Sequence, residues 1–156
     1  MGSLTYSESV VIGAEPAAVY ALLTNISRTG EWSPVCTGCW WDEGDGPWVG
    51  AHFTGRNETP ERTWETRSEV VAAEEGRSFG WSVTEGNVTW AYTLEQVEGG
   101  TELTQTWTFT PKGIAFFEER FGERAAEEVA ARARAAEHGI PASLAAIRGI
   151  LEVNGG

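Results

Sequence analysis

The chain of 156 residues is poor in the groups that most metal, redox and nucleic-acid chemistry requires. Histidine occurs only at His52 and His138, and cysteine only at Cys36 and Cys39. Neither histidine stands at ligand spacing from a second donor, and a structural zinc site needs more ligands than one Cys-x-x-Cys pair supplies. No metal and no cofactor is expected, and the cysteines read as reduced thiols near a turn. Basic residues number 11 against 23 acidic ones, a formal net charge of −12. The mean field therefore repels nucleic-acid phosphates and anionic headgroups, which excludes both as expected partners. No apolar run approaches the roughly 18 residues of a membrane helix, so no membrane insertion is expected. The stretch Met1 to Glu8 carries no positive region, apolar core or small-residue cleavage site of a secretion signal, and Tyr6 departs from the myristoylation pattern. A soluble, cytoplasmic protein is the expectation. There is no Gly-x-Ser-x-Gly elbow, and the glycine-rich stretch from Gly38 to Gly50 has neither a phosphate-binding lysine nor a dinucleotide fingerprint.

What is abundant is glycine, with 19 residues, and tryptophan, with 8. The length suits one domain, residues 1–156. Leu4 to Ile12 reads as a first strand. Glu15-Pro16 opens a helix carrying Val19, Leu22 and Leu23, because proline is tolerated at the first helical position. Asn25 to Trp32 reads as a second short helix, ended by Ser33-Pro34. Trp40, Trp41 and Trp48 then fall in a short strand and turn, where they offer an apolar patch for a protein partner unless the loop packs back on the sheet. From Val49 to Phe109, runs of about eight to twelve residues alternate with turn signals at Thr59-Pro60-Glu61, Glu75-Gly76, Glu85-Gly86-Asn87 and Glu98-Gly99-Gly100. That spacing predicts five antiparallel strands in a meander.

Side chains of a strand alternate between faces, so parity assigns one face as apolar. It carries Phe53, Trp64, Val70, Phe79, Trp81, Val83, Val88, Trp90, Tyr92, Leu94, Leu103, Trp107 and Phe109. The opposite face carries Glu65, Arg67, Glu69, Ser82, Thr89, Thr93, Glu102 and Thr104, which suits water. The apolar face needs a cover. Ile114, Phe116, Phe117 and Phe121 form one candidate patch, followed by an alanine-rich helix from Ala125 to Ala136 with Glu128 and Arg132 spaced as a surface pair. Gly139 is expected to break that helix and Pro141 to restart it, with Ile140, Leu144, Ile147 and Leu151 as one apolar stripe.

Four phrases carry a resemblance over essentially the whole chain: Glu31-Trp32-Ser33-Pro34, the run from Gly50 to Asn57 (GAHFTGRN), Thr63-Trp64-Glu65-Thr66-Arg67, and the run from Ala136 to Pro141 (AEHGIP). With the order of elements, they resemble the polyketide cyclase or dehydratase branch of the START-like (SRPBCC, Bet v 1-like) superfamily. That resemblance implies an α+β helix-grip fold, in which a curved antiparallel sheet of about seven strands wraps a long C-terminal helix and two short helices follow the first strand. It also implies a hollow between sheet and last helix, holding a small hydrophobic ligand of aromatic, polyketide-like or lipid-like type. The superfamily includes carriers, receptors and cyclases, so fold does not choose among them.

The candidate ligand-binding residues are Phe53, Asn57, Trp64, Thr66, Ser68, Phe79, Trp81, Trp90, Gln105 and Trp107. Tryptophan is an uneconomical filling for a plain core, since each indole N–H needs a partner. Asn57, Thr66, Ser68 and Gln105 fall inward by the same parity, where they either bond to one another and to buried water or orient a ligand carbonyl or hydroxyl. His52, Arg56 and Glu58 alternate outward. Tyr92 is the inward ionisable side chain of the meander and the candidate catalytic residue if the protein is a cyclase or dehydratase acting by proton transfer.

Overall fold

The computed structural model describes residues 4–43 and 46–154. The chain begins with β1 (Leu4–Ile12), turns into α1 (Pro16–Thr24) with Pro16 at the helix start, and continues through a 3₁₀ segment, Ile26–Glu31. The strands β2 (Cys36–Trp41), β3 (His52–Thr59), β4 (Arg62–Glu74), β5 (Ser78–Val83), β6 (Val88–Val97) and β7 (Gly100–Phe109) follow, then α2 (Pro111–Phe121) and α3 (Ala125–Asn154). Among the described residues, seven strands form one antiparallel sheet in the order β1-β7-β6-β5-β4-β3-β2. This is the helix-grip arrangement that the sequence implied.

The order has a simple origin. From β3 onward each strand pairs with its sequence neighbour through a short hairpin, while β1 and β2 stand at opposite edges. The link between those edges must cross the sheet, and α1 with the 3₁₀ segment does so: α1 packs on β5, β6 and β7, and the segment on β2. On β7 burial alternates strictly, with Thr101, Leu103, Gln105, Trp107 and Phe109 inside. The β1–β7 corner is tight. Gly100 has φ +138°, and a Cβ there would overlap the Ile12 carbonyl, so only glycine fits. Thr101 Oγ1 beside it donates to the Ala14 carbonyl at 2.7 Å.

The long helix departs from expectation. It runs unbroken from Ala125 to Asn154 with Gly139 and Pro141 inside. An internal proline costs a helix about 3 kcal/mol, but Ile140, Leu144 and Ile147 are fully or almost fully buried where α3 lies on β1 and β7. Each such side chain contributes about 1.5–3 kcal/mol, so tertiary packing outweighs the local breaker. Glu128 and Arg132 make the expected surface pair at 3.1 Å. The phenylalanine patch is only partly internal: Ile114 is buried and Phe117 sits edge-on to Phe109 at 4.9 Å, whereas Phe116 remains exposed.

Candidate functional site

The registers of the central strands set the candidate residues in two rows. Phe79, Tyr92 and Gln105 are direct neighbours across β5, β6 and β7, and Trp81, Trp90 and Trp107 form the next row. Phe53 faces Ser68 across β3 and β4, Gly55 faces Thr66, and Asn57 faces Trp64. Of the candidates, Phe53, Ser68, Phe79, Tyr92, Gln105 and Trp107 are buried, and Asn57, Trp64, Thr66, Trp81 and Trp90 are partly exposed.

Trp81 is the hub of the aromatic wall. Its ring lies 6.5 Å from Trp90 in a stacked pair inclined by 15°. Tyr92 stands 5.7 Å from it, Phe79 5.4 Å and Phe53 5.9 Å. Trp64 belongs to the same face but to another contact, since the Arg62 guanidinium covers its ring at 4.2 Å. The Trp81 and Trp90 rings of this wall remain partly exposed.

The polar side chains Asn57, Thr66, Ser68 and Gln105 are neutral, while the charged Arg62 stands over Trp64 on the same face. Asn57 Nδ2 donates to Thr66 Oγ1 and to the Gly55 carbonyl, each at 3.4 Å, so two of the expected inward residues meet. Gln105 differs: it is only 5% exposed, and its Oε1 is a buried acceptor without a hydrogen-bond partner. Among the described residues it is the one such side-chain atom. An unpartnered buried acceptor costs about 1–3 kcal/mol, so its persistence calls for a reason. Tyr92 is fully enclosed; burial pushes its phenol well above the usual value, and the Trp32 indole N–H it accepts pulls weakly the other way. It is therefore a neutral group at any ordinary pH, fit to donate a proton in a hydrogen bond and unfit as a base.

Several residues of this wall escape strand parity. In an unbroken strand Cys36 and Cys39 would face opposite sides, but a bulge between Cys36 and Gly38 turns both inward, where they oppose Asn57 and Gly55. The thiols are thus buried in a strand, not placed near a turn. Trp41 follows them inward and meets Phe53 edge-on at 5.5 Å, while Trp40 and Trp48 are 44% and 51% exposed. The tryptophans of that stretch divide between the core and the surface. Tyr6 and Glu8 of β1 pair with Trp107 and Gln105, which puts them on the same face at its rim, with Tyr6 Oη donating to Glu8 Oε1 at 3.1 Å. Carrying the alternation of Leu4, Tyr6, Glu8 and Val10 across to β7 is the signal that finds them. Trp32 was visible only as part of a motif.

Two surface depressions are present, neither lined by the rings of the aromatic wall. One runs between β1 and α3 beside Glu8, Val10, Leu144 and Arg148, and the other surrounds Asp42, Trp48, His52 and Arg67. In the second, Asp42 accepts from Thr54 Oγ1 at 2.6 Å and Arg67 Nε at 2.8 Å, and these bonds hold its carboxyl below the usual range. No cluster of three or more metal-ligating side chains is found among the described residues, and no helix there is long and apolar enough to cross a membrane.

Residues 3–140 match the family model described as polyketide cyclase / dehydrase and lipid transport. The chain is 61% identical to the polyketide-cyclase-like protein Cgl2372 from Corynebacterium glutamicum, over 97% of this chain and 93% of that one, with a TM-score of 0.74. It is 15% identical to the di-domain ARO/CYC StfQ of the steffimycin biosynthetic pathway, covering 99% of this chain but 52% of that one, with a TM-score of 0.76. It spans about half the length of that protein. Ara h 8.0201 matches at 17% identity over 97% of this chain and 99% of that one, with a TM-score of 0.66. At such identities the last two likenesses concern the fold. No curated protein matches the chain.

Proposed function

Because the chain belongs to the polyketide cyclase / dehydrase and lipid transport family, we propose that its concave face binds a small, planar, largely apolar molecule carrying a hydrogen-bond donor. The observation that carries this reading is the unpartnered Oε1 of buried Gln105, set between Tyr92 and β1 and one row from the stacked Trp81 and Trp90. The rings supply apolar contact, and the free acceptor supplies orientation: a phenolic or enolic hydroxyl pointed at Gln105 satisfies an atom that otherwise opposes folding. Anionic ligands are disfavoured, because the inward polar side chains Asn57, Thr66, Ser68 and Gln105 bring no counter-charge and Glu8 stands opposite Gln105 at the rim.

A binding or carrier role fits better than catalysis. Proton transfer near neutral pH wants a group whose pKa lies close to the working pH, and burial holds the Tyr92 phenol far above it. The cyclase or dehydratase alternative would rest on Tyr92 as a hydrogen-bond donor to a developing enolate. Titration of tryptophan fluorescence with planar polycyclic phenols, their methyl ethers and fatty acids tests the reading. Saturable quenching by the phenols, with weaker binding of the ethers, is expected; equal affinity for phenol and ether, or silence across the panel, overturns it. A turnover assay on the bound phenol class, with Tyr92→Phe as the comparison, separates the two roles: a carrier leaves the ligand unchanged.

A further inference from the structure

We propose that Cys36 and Cys39 form an oxidisable dithiol, a modification site whose co-reactant is a small hydroperoxide and whose product is a disulfide within β2. The inference is independent of any ligand on the concave face.

Geometry carries it. The cysteines of this chain are these two, and both are free thiols, 9% and 8% exposed. Three positions apart in a regular strand, they would point to opposite faces and never meet. The bulge changes that: Cys36 pairs with Asn57 and Cys39 with Gly55, so the two stand only two ladder steps apart on one face. The positions they oppose on the regular strand β3, Asn57 and Gly55, are about 6.8 Å apart, close to the roughly 4.4–6.8 Å between Cα atoms that a disulfide spans, and the bulge folds the extra residue of β2 into that interval. Strand twist shortens the step further, and Gly55 opposite leaves room for the sulfurs to approach. The flanking structure holds the pair in place. Ser33 Oγ accepts from the Cys36 backbone N–H at 3.2 Å, and the Cys36 thiol reaches the Gly38 carbonyl at 3.2 Å.

The local electrostatics favour one reactive sulfur. The Cys39 thiol donates to Cys36 and lowers its pKa against the opposing effect of burial. The same contact and burial raise Cys39. In the proposed order Cys36 attacks and Cys39 resolves, and the two single-cysteine variants below test that order. In the first step the Cys36 thiolate attacks the outer oxygen of the hydroperoxide; the S–O bond forms, the O–O bond breaks, and the alkoxide leaves as an alcohol after taking a proton. In the second, the Cys39 sulfur attacks the resulting sulfenic acid, the S–S bond forms, and hydroxide leaves as water with the Cys39 proton. Two thiols lose two electrons and two protons, and the hydroperoxide is reduced to alcohol and water. The thiols are enclosed, so hydrogen peroxide and small alkyl hydroperoxides are the co-reactants of the right size.

The test treats the full chain with a modest excess of hydrogen peroxide, then counts free thiols after denaturation and measures intact mass. Loss of both thiols with loss of two hydrogens in mass, no covalent dimer, and full recovery with dithiothreitol is expected. Cys39→Ser should instead accumulate a sulfenic acid at Cys36 that dimedone traps, whereas Cys36→Ser should react at least tenfold more slowly. Circular dichroism of each variant, compared with wild type, verifies that it is folded. Two titratable thiols surviving treatment of the folded wild type, or oxidation that yields only intermolecular dimers or over-oxidised single cysteines, overturns the proposal.

Discussion

Replacing Gln105 by leucine removes the one buried side-chain acceptor that lacks a partner among the described residues. An unsatisfied buried acceptor opposes folding by about 1–3 kcal/mol. The side chains are of similar volume, and residual misfit of the branched leucine costs less than about 1.5 kcal/mol. The site is 5% exposed, on a strand whose neighbours Tyr92 and Leu103 are themselves buried, so little solvent is available to satisfy the amide in its place. At the middle of both ranges the net expectation is a gain of about 1 kcal/mol, which at this chain length raises Tm by roughly 2–4 °C. The same substitution leaves a phenolic ligand's hydroxyl facing a hydrocarbon, which weakens its binding by about 1–3 kcal/mol, or roughly 5- to 150-fold. Urea denaturation at unchanged slope gives the first quantity. Fluorescence titration with the best phenol gives the second. Opposite signs for stability and affinity are the mark of a residue kept for binding. A less stable variant would show that the amide is already paired, with buried water for instance, and would refute the free-acceptor argument. A more stable variant with unchanged affinity would keep the energetics and refute the recognition.

Tyr92→Phe strips the Trp32 indole N–H of its acceptor and should cost about 1–3 kcal/mol in urea denaturation, while binding of the preferred ligand is retained. Trp90→Ala removes one member of the stacked pair; because the ring is only partly buried, destabilisation near or below the roughly 3 kcal/mol lower end for a core tryptophan is expected, with binding weakened at least tenfold. Gly113→Ala sets a Cβ against the Asn87 carbonyl carbon at 2.9 Å and the Phe109 ring at 3.0 Å, so α2 must shift, and a fall in Tm larger than that of Gly122→Ala, where φ is positive but the space is open, is expected. The folded-state pKa of Asp42 is depressed, so its contribution to stability is present above the ordinary carboxylate pKa and is lost as pH falls through the lower folded value. Asp42→Asn should therefore be less stable than wild type at neutral pH, and the gap should close in acid, as read by denaturation at a series of pH values.

The sequence alone decided much of this molecule. Alternation along Phe53 to Phe109 assigned the faces of five strands, turn residues placed their hairpins, and the inward set included Asn57, Thr66, Tyr92 and Gln105, which the registers set on one face of the sheet. These features are local: a period of two residues and a glycine at a turn act over a few bonds, and no distant contact is needed to express them. Gly139 and Pro141 spoke for a broken helix, and long-range burial on β1 and β7 overruled them. The pairing of the thiols needed the bulge against β3, the Trp32 contact to Tyr92 joins segments that only the fold brings together, and the isolation of Gln105 depends on what its neighbours in β6 and β1 fail to offer. Periodicity fixes which way a side chain points, but a partner, or the lack of one, is a property of the space it enters, and that space exists only once strands distant in sequence have packed.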